Sequence, residues 1–268
     1  MSGAADDPAP PGPAPGPAAA AKWTEQSILW QRPWTERMFS FATTRDSGYA
    51  FAPGQFARLG VADGAGGIVW RPHSMVSADS EARLEFLSIT VPHGQFTNRV
   101  ARLQPGEPIL VERVSYGFLT PDRFHGGRDL WMLASGTGVG PYVAILRAEP
   151  VWRQYENLVV VHSVREAGEL AYRDELLALA GRGPARLRYL PIVTREAVDG
   201  ALSERVTTLI EDGRLAAAAG LPLDTERSRL MICGNPAMAA DLRRLLTERG
   251  FRVSRRADPG HLAFENYW

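Results

Sequence analysis

From Trp23 to about Asp122, apolar residues come in short runs broken by glycine and proline: FAPGQFARLGV, IVWRPHSMVS, LEFLSITVPHG and PILVERVSYGFL. Runs of this length and spacing predict short antiparallel strands that close into a small barrel. After His125-Gly126-Gly127 the rhythm changes. LWMLAS (130–135), LVVVHS (158–163), LRYLPIV (187–193) and RLMICG (229–234) read as buried parallel strands. The stretches 141–148, 172–180, 203–210 and 236–249 read as helices between them. Such alternation predicts a doubly wound α/β sheet. The expected organisation is a barrel over residues 22–124 and an α/β domain over 125–268, meeting near residues 123–128. Residues 1–21 are almost entirely Ala, Pro, Gly and Asp. They lack the large apolar side chains that offset the entropy of ordering, and a disordered tail is expected.

Length agrees with two domains, since 268 residues exceed one domain of about 150. Thirty basic and thirty acidic residues cancel, so no global field attracts nucleic acid or an anionic membrane. Charged partners must be met by a local patch. The one cysteine, Cys233, excludes an internal disulfide framework and a cluster held by four thiolates of this chain. No metal site is expected. No apolar run approaches the roughly 18 residues of a membrane span, and the N-terminus lacks a basic region followed by an apolar one. A cytoplasmic monomer is expected.

Four stretches carry candidate chemistry. In Arg71-Pro72-His73-Ser74-Met75-Val76-Ser77, a cation, an imidazole and two hydroxyls share one extended run. Adjacent side chains on a strand point to opposite faces, so His73 and Ser74 make a poor base and nucleophile, and a clamp for a charged ligand remains. Gly136-Thr137-Gly138-Val139-Gly140-Pro141 follows the first strand of the second half. It suits a pyrophosphate at a helix N-terminus, and equally an ordinary strand-to-helix turn. The second and third parallel strands lead into Arg165 and Arg195, with Arg205 beyond. Guanidinium groups where an NAD site would place a carboxylate favour a 2′-phosphate, hence NADP, against the alternative of solvated loop arginines. Cys233 ends the last strand of the alternating series, where open α/β sheets bind ligands, although small buried cysteines also fill cores.

With RPHSMVS, VPHGQFT, ASGTGVGPY, MICGNPAM and PGHLAFENYW in this order, the chain resembles the bacterial ferredoxin/flavodoxin–NADP⁺ reductases over roughly residues 23–268. The resemblance implies an FAD-binding barrel followed by an NADP-binding domain. It assigns Arg71 to the FAD pyrophosphate, Ser74 to the neighbourhood of flavin N5 and Ser77 to a supporting role, with Pro72 in the same run. His73 replaces the family's stacking tyrosine. With an unperturbed pKa of about 6.5, it is expected to couple the flavin potential to pH between about 5.5 and 7.5. Gln95, Phe96 and Thr97 match the turn that meets the pyrophosphate, Thr137 a contact on the flavin and nicotinamide side, and Tyr267 and Trp268 the terminal aromatics that cover FAD. For NADP, the resemblance assigns Val164, Arg165, Thr194, Arg195 and Arg205 to the 2′-phosphate region, and Asn235, Pro236, Ala237 and Asp241 to the rest of the dinucleotide. Ser74, Cys233 and Glu265 are the implied catalytic set.

The implied activity passes electrons between NADP(H) and a one-electron carrier through FAD. Ferredoxin and flavodoxin are acidic in such systems, and Arg243, Arg244, Arg249, Arg252, Arg255 and Arg256 offer a basic patch. The alternatives are a reductase component feeding an oxygenase and a non-catalytic flavin- or nucleotide-binding sensor.

Overall fold

A computed structural model describes residues 21–180 and 183–265. The tail up to residue 20 and the terminal Tyr267 and Trp268 lie outside the described residues. The carbonyl of Ala21, the first described residue, accepts from Arg113 Nε at 2.9 Å.

Six antiparallel strands form the first half: β1 (Trp23–Pro33), β2 (Met38–Thr44), β3 (Phe56–Ala62), β4 (Ile68–Ser74), β5 (Arg83–Ile89) and β6 (Pro108–Tyr116). A one-turn helix, α1 (Thr97–Val100), connects β5 to β6. The strand order is β4-β3-β6-β1-β2-β5. Its two edges meet where Met75 bridges Phe86, one residue beyond β4. The RPHSMVS run therefore lies along the closing seam. Phe41, Leu59, Met75, Phe86, Ile109 and their neighbours fill the interior, as the two-residue side-chain period of strands requires.

The second half follows as β7 (Asp129–Ser135), α2 (Gly140–Arg147), α3 (Val151–Gln154), β8 (Asn157–Val164), α4 (Arg173–Ala178), β9 (Arg186–Val193), α5 (Val206–Glu211), α6 (Arg214–Ala219), β10 (Ser228–Cys233), α7 (Pro236–Glu248) and β11 (Leu262–Glu265). All strands are parallel in the order β11-β10-β7-β8-β9. Alternate residues of β7 feed two cores. Leu130, Met132 and Ala134 pack with α2 and with Met38, Val76 and Leu87 of the first half. Trp131 and Leu133 pack with α5 and α7 on the other face. One face of the parallel sheet thus joins the antiparallel half through continuous apolar packing.

The expected strands and helices all occur, with local differences. Tyr172 has φ +61° and stands before α4 instead of within it. Residues 203–205 precede α5, because Leu202 pairs with Ile192 and keeps the chain extended. The sequence pattern marks no separate element at β1, β2, α1, α3, α6 or β11. β11 has only four residues and borrows its stability from β10.

Candidate functional site

The order in which strands are added to the parallel sheet reverses between β7 and β10, whose ends pair Ala134 with Cys233. In open α/β sheets, ligands bind at the carboxyl ends of the strands at such a switch point. Here the glycine loop leaves β7 as a 3₁₀ turn, Gly136–Val139, leading into α2. Its packing on β10 is tight, since a Cβ on Gly138 would lie 2.4 Å from the Cys233 carbonyl oxygen. The antiparallel half faces this point, and a cleft of about 770 Å³ separates the two.

Arg71, Pro72, His73, Ser74, Gln95, Phe96 and Thr97 line the cleft on the barrel side, and Thr137, Gly138, Cys233 and Gly234 on the other. These were legible as separate motifs. Leu87, Ser88 and Ile89 of β5 also line it and were missed, because only closure of the barrel brings β5 beside β4. The Arg71 guanidinium donates to the Trp70 carbonyl at 2.8 Å and has no acidic partner among the described residues. Thr97 Oγ1 is buried without a hydrogen-bond partner. The N–H groups of Gln95, Phe96 and Thr97 are likewise unused among the described residues. A Cβ on Gly94 would come within 2.9 Å of the Thr97 hydroxyl, so glycine is what leaves that hydroxyl its space.

His73 differs from expectation in its chemistry. Its ring centroid lies 5.0 Å from that of Phe96 and 6.3 Å from that of Phe41, and Nε2 is 3.2 Å from Ser88 Oγ. Part of the ring meets the cleft, but burial dominates and pushes its pKa down to about 4, opposed only by the Arg71 backbone. Burial thus favours the neutral imidazole in the pH 5.5–7.5 window where titration is expected from the unperturbed value.

A second buried histidine, His162 on β8, lies beneath the glycine loop. The Gly136 carbonyl, 3.0 Å from Nε2, can only accept. Nε2 therefore carries the proton, and Nδ1 accepts from the Tyr189 hydroxyl at 3.2 Å. Burial lowers this pKa also to about 4, with the Gly136 backbone opposing. The LVVVHS run gave no sign of the role, because loop and histidine are joined only by strand pairing.

The two histidines predict an acid-sensitive fold. An unfolded chain takes up their protons near pH 6.5, whereas the folded chain refuses them until about 4. Stability is therefore full above 6.5 and falls as pH drops. Each proton contributes a slope approaching about 1.4 kcal/mol per pH unit. Urea unfolding between pH 7 and 5, above most carboxylate titrations, should show this slope. His73→Phe should remove one proton's share; an identical slope in that variant would contradict the assignment.

Not every expected residue reaches the cleft. Ser77 is fully buried, and its hydroxyl accepts from the Glu85 N–H at 2.6 Å. It braces the seam. Glu265 pairs in register with Cys233 on the adjoining strand and accepts from Phe118 N–H at 3.4 Å, but it is not among the cleft-lining residues. Cys233 does line the cleft. Burial, with Glu265 adding to it, pushes its thiol far above the usual range, so it is a neutral wall group and not a thiolate.

Away from the cleft, Thr194 N–H donates to the Val164 carbonyl at 3.1 Å and Arg195 N–H to the Arg165 carbonyl at 2.9 Å. The ends of β8 and β9 are thereby tied side by side. Arg165, Arg195 and Arg205 are exposed, and no ion pair engages them among the described residues. Asn235 caps α7, its Oδ1 accepting from Ala237 N–H at 2.8 Å and Met238 N–H at 3.3 Å. Pro236 and Ala237 open that helix, and Asp241 is exposed on it.

An antiparallel sheet closed beside a doubly wound sheet, with a cleft at the switch point, defines the two-domain nucleotide-dependent oxidoreductase class. The family model described as "Oxidoreductase NAD-binding domain" matches residues 132–244. Ferredoxin–NADP reductase A of Sorangium cellulosum is 39% identical over 253 residues, covering 91% of this chain and 89% of that protein. Flavodoxin/ferredoxin–NADP reductase of Escherichia coli K12 is 37% identical, covering 92% of this chain and all of the relative (100%). A crystal structure of a ferredoxin NADP⁺ reductase from Neisseria gonorrhoeae with bound FAD and NADP superposes with a TM-score of 0.87 at 36% identity, covering 92% and 99% of the two chains. The chain belongs to the ferredoxin/flavodoxin–NADP reductase family.

Proposed function

We propose that this protein transfers electrons between NADP(H) and ferredoxin or flavodoxin through bound FAD. The observation that carries the reading is the cleft itself, with its anion-suited barrel wall facing the glycine loop and Cys233 across the switch point. The residues fit FAD. Arg71 offers a guanidinium suited to a pyrophosphate, and the 95–97 turn offers unused N–H groups and a buried hydroxyl. Bound FAD supplies the conversion between two-electron hydride chemistry and one-electron transfer.

The chain's own residues position and shield. His73, neutral, and Ser74 present an aromatic edge and a hydroxyl from the seam. Thr137 and Cys233 form the opposing wall, where an uncharged thiol fills space without competing as a nucleophile. Arg165, Arg195 and Arg205 hold the 2′-phosphate, with Val164 and Thr194 setting the strand ends from which they project. Asn235, Pro236, Ala237 and Asp241 lie along the start of α7, on the side of the remaining dinucleotide.

An acidic carrier meets the arginines that the fold leaves unengaged. Arg249 is spent on the Ile210 and Glu211 carbonyls, and Arg244 and Arg252 face Glu248 and Asp258. Arg243 lies over the Phe264 ring at 4.1 Å. Arg243, Arg255 and Arg256 make no ion pair among the described residues. The carrier-facing charge is therefore smaller than the sequence count. Among the described residues no helix is long and apolar enough to cross a membrane.

The test is anaerobic mixing of the FAD-loaded, full-length protein with NADPH, followed by mixing with ferredoxin or flavodoxin. Bleaching of the flavin band and its recovery on adding carrier are expected. Absence of bleaching would exclude the reaction, and recovery only with an oxygenase partner would reassign the acceptor.

A further inference from the structure

Behind the cleft, a chain of hydrogen bonds that converges on the Glu85 carboxylate crosses repeatedly between the two halves of the molecule. Trp34 Nε1 donates to Ser40 Oγ at 2.8 Å. The Ser40 hydroxyl lies 2.5 Å from the Tyr172 hydroxyl, which is itself 2.8 Å from Glu85 Oε1. A carboxylate only accepts, so Tyr172 donates to Glu85 and Ser40 must donate to Tyr172. The second oxygen of Glu85 accepts from Arg147 Nη1 at 2.8 Å. Arg147 also makes a two-pronged contact with Glu175, at 2.6 and 2.9 Å, lies 3.3 Å from Glu81, and donates to the Val76 carbonyl at 3.2 Å. Trp34, Ser40, Val76, Glu81 and Glu85 belong to the antiparallel half, and Arg147, Tyr172 and Glu175 to the parallel half. Ser40, Glu85 and Tyr172 are all buried.

We propose that this chain sets the spacing between the two walls of the cleft, with Arg147 and Glu85 as positioning residues for hydride transfer. The inference rests on the FAD and NADP reading given above. Its physical ground is that the same elements carry both walls. Glu85 lies on β5, which supplies Leu87, Ser88 and Ile89 to the cleft, and Val76 follows Ser74 on the seam. Arg147 ends α2, the helix that begins at the glycine loop. The start of α2 also lies close to the barrel, since a Cβ added at Gly140 would fall 3.2 Å from Val76 Cγ2. Apolar packing would hold the halves together over a range of angles. A buried, hydrogen-bonded ion pair adds little net stability over an apolar replacement but tolerates little displacement. Misplacement by about 1 Å is enough to slow a positioned reaction about 100-fold.

The experiment uses full-length, FAD-loaded protein and Arg147→Met, Arg147→Lys and Tyr172→Phe variants. The distance between the halves is read from spin labels on Ala65→Cys and Glu211→Cys, both exposed positions; buried Cys233 stays in place. In Arg147→Met the distance distribution should broaden, and NADPH-driven flavin reduction should slow by about tenfold or more at saturating nucleotide. KM for NADPH and FAD content should hold. Arg147→Lys should recover part of both effects. Tyr172→Phe, which removes one hydroxyl, carries the same test if Arg147→Met fails to fold. An unchanged distance distribution and saturating rate, with only a lower Tm, would overturn the proposal. Failure of the native protein to react with NADPH would instead overturn the functional reading, while the distance measurement would still report on the chain of bonds.

Discussion

Gly234→Ala is expected to be among the most damaging one-methyl changes in the cleft, costing roughly 2–6 kcal/mol. Two separate effects act at this position. Gly234 has φ +131°, a conformation that side-chain-bearing residues rarely adopt, and such strain costs about 1–3 kcal/mol. The added Cβ would also lie 2.2 Å from Ser135 Oγ and 2.7 Å from the Ser135 carbonyl oxygen. Ser135 cannot readily yield, because it ends β7 in register with Ser163 of β8 and its hydroxyl accepts from Asn235 N–H at 2.7 Å. Overpacking of this kind costs about 1–3 kcal/mol more. Gly66→Ala supplies the control, since Gly66 has φ +93° but nothing within 4 Å of a new Cβ. Urea unfolding of both variants separates strain from collision. Equal losses would mean that the β7–β10 switch point is not tightly packed. A flavin-content measurement on Gly234→Ala should show weakened retention, as Gly234 itself lines the cleft.

Arg195→Ala is expected to weaken NADPH by about tenfold to a hundredfold and to leave NADH nearly unaffected. Arg195 is exposed at the end of β9, held beside Arg165 by a 2.9 Å backbone hydrogen bond, and engaged by no carboxylate among the described residues. Its guanidinium is therefore available to a phosphate without first breaking an ion pair. A hydrogen bond to a charged group contributes about 1.5–3 kcal/mol, and each 1.4 kcal/mol is a factor of ten in affinity. NADH lacks the 2′-phosphate and loses no such bond. Arg205→Ala should act in the same direction. Dissociation constants from nucleotide difference spectra, measured for both nucleotides, decide the matter. Parallel losses for NADPH and NADH would move these arginines away from the 2′-phosphate. The loss should shrink as salt rises, because the contact is exposed and screened.

Some features were readable because they are local. Alternating apolar runs and glycine breaks announce strands whatever they pair with, and buried β-branched runs followed by amphipathic stretches announce β/α units. Arg71, Ser74, Thr137 and Cys233 stand out in the same way inside short local motifs, whereas Thr97 is assigned only through the family resemblance. Ser77 illustrates the limit. The resemblance gives it a supporting role beside FAD, and the hydroxyl turns inward to the Glu85 N–H, where it braces the seam and does not line the cleft.

What the sequence by itself determined is the set of elements, the kind of chemistry carried at each strand end and, through an ordered series of motifs, the family. These depend on neighbours within a few residues, or on motif order along the chain. Only the tertiary structure decided that Ser88 and Ile89 share a wall with His73, that His162 supports Gly136, and that Arg147 answers Glu85 across 62 residues of chain. It also decided protonation. A histidine in a sequence has a pKa near 6.5, and the removal of water around His73 by Phe41, Phe96 and the closed seam brings it to about 4. Desolvation and long-range pairing are properties of a packed interior, and no local stretch of chain contains them.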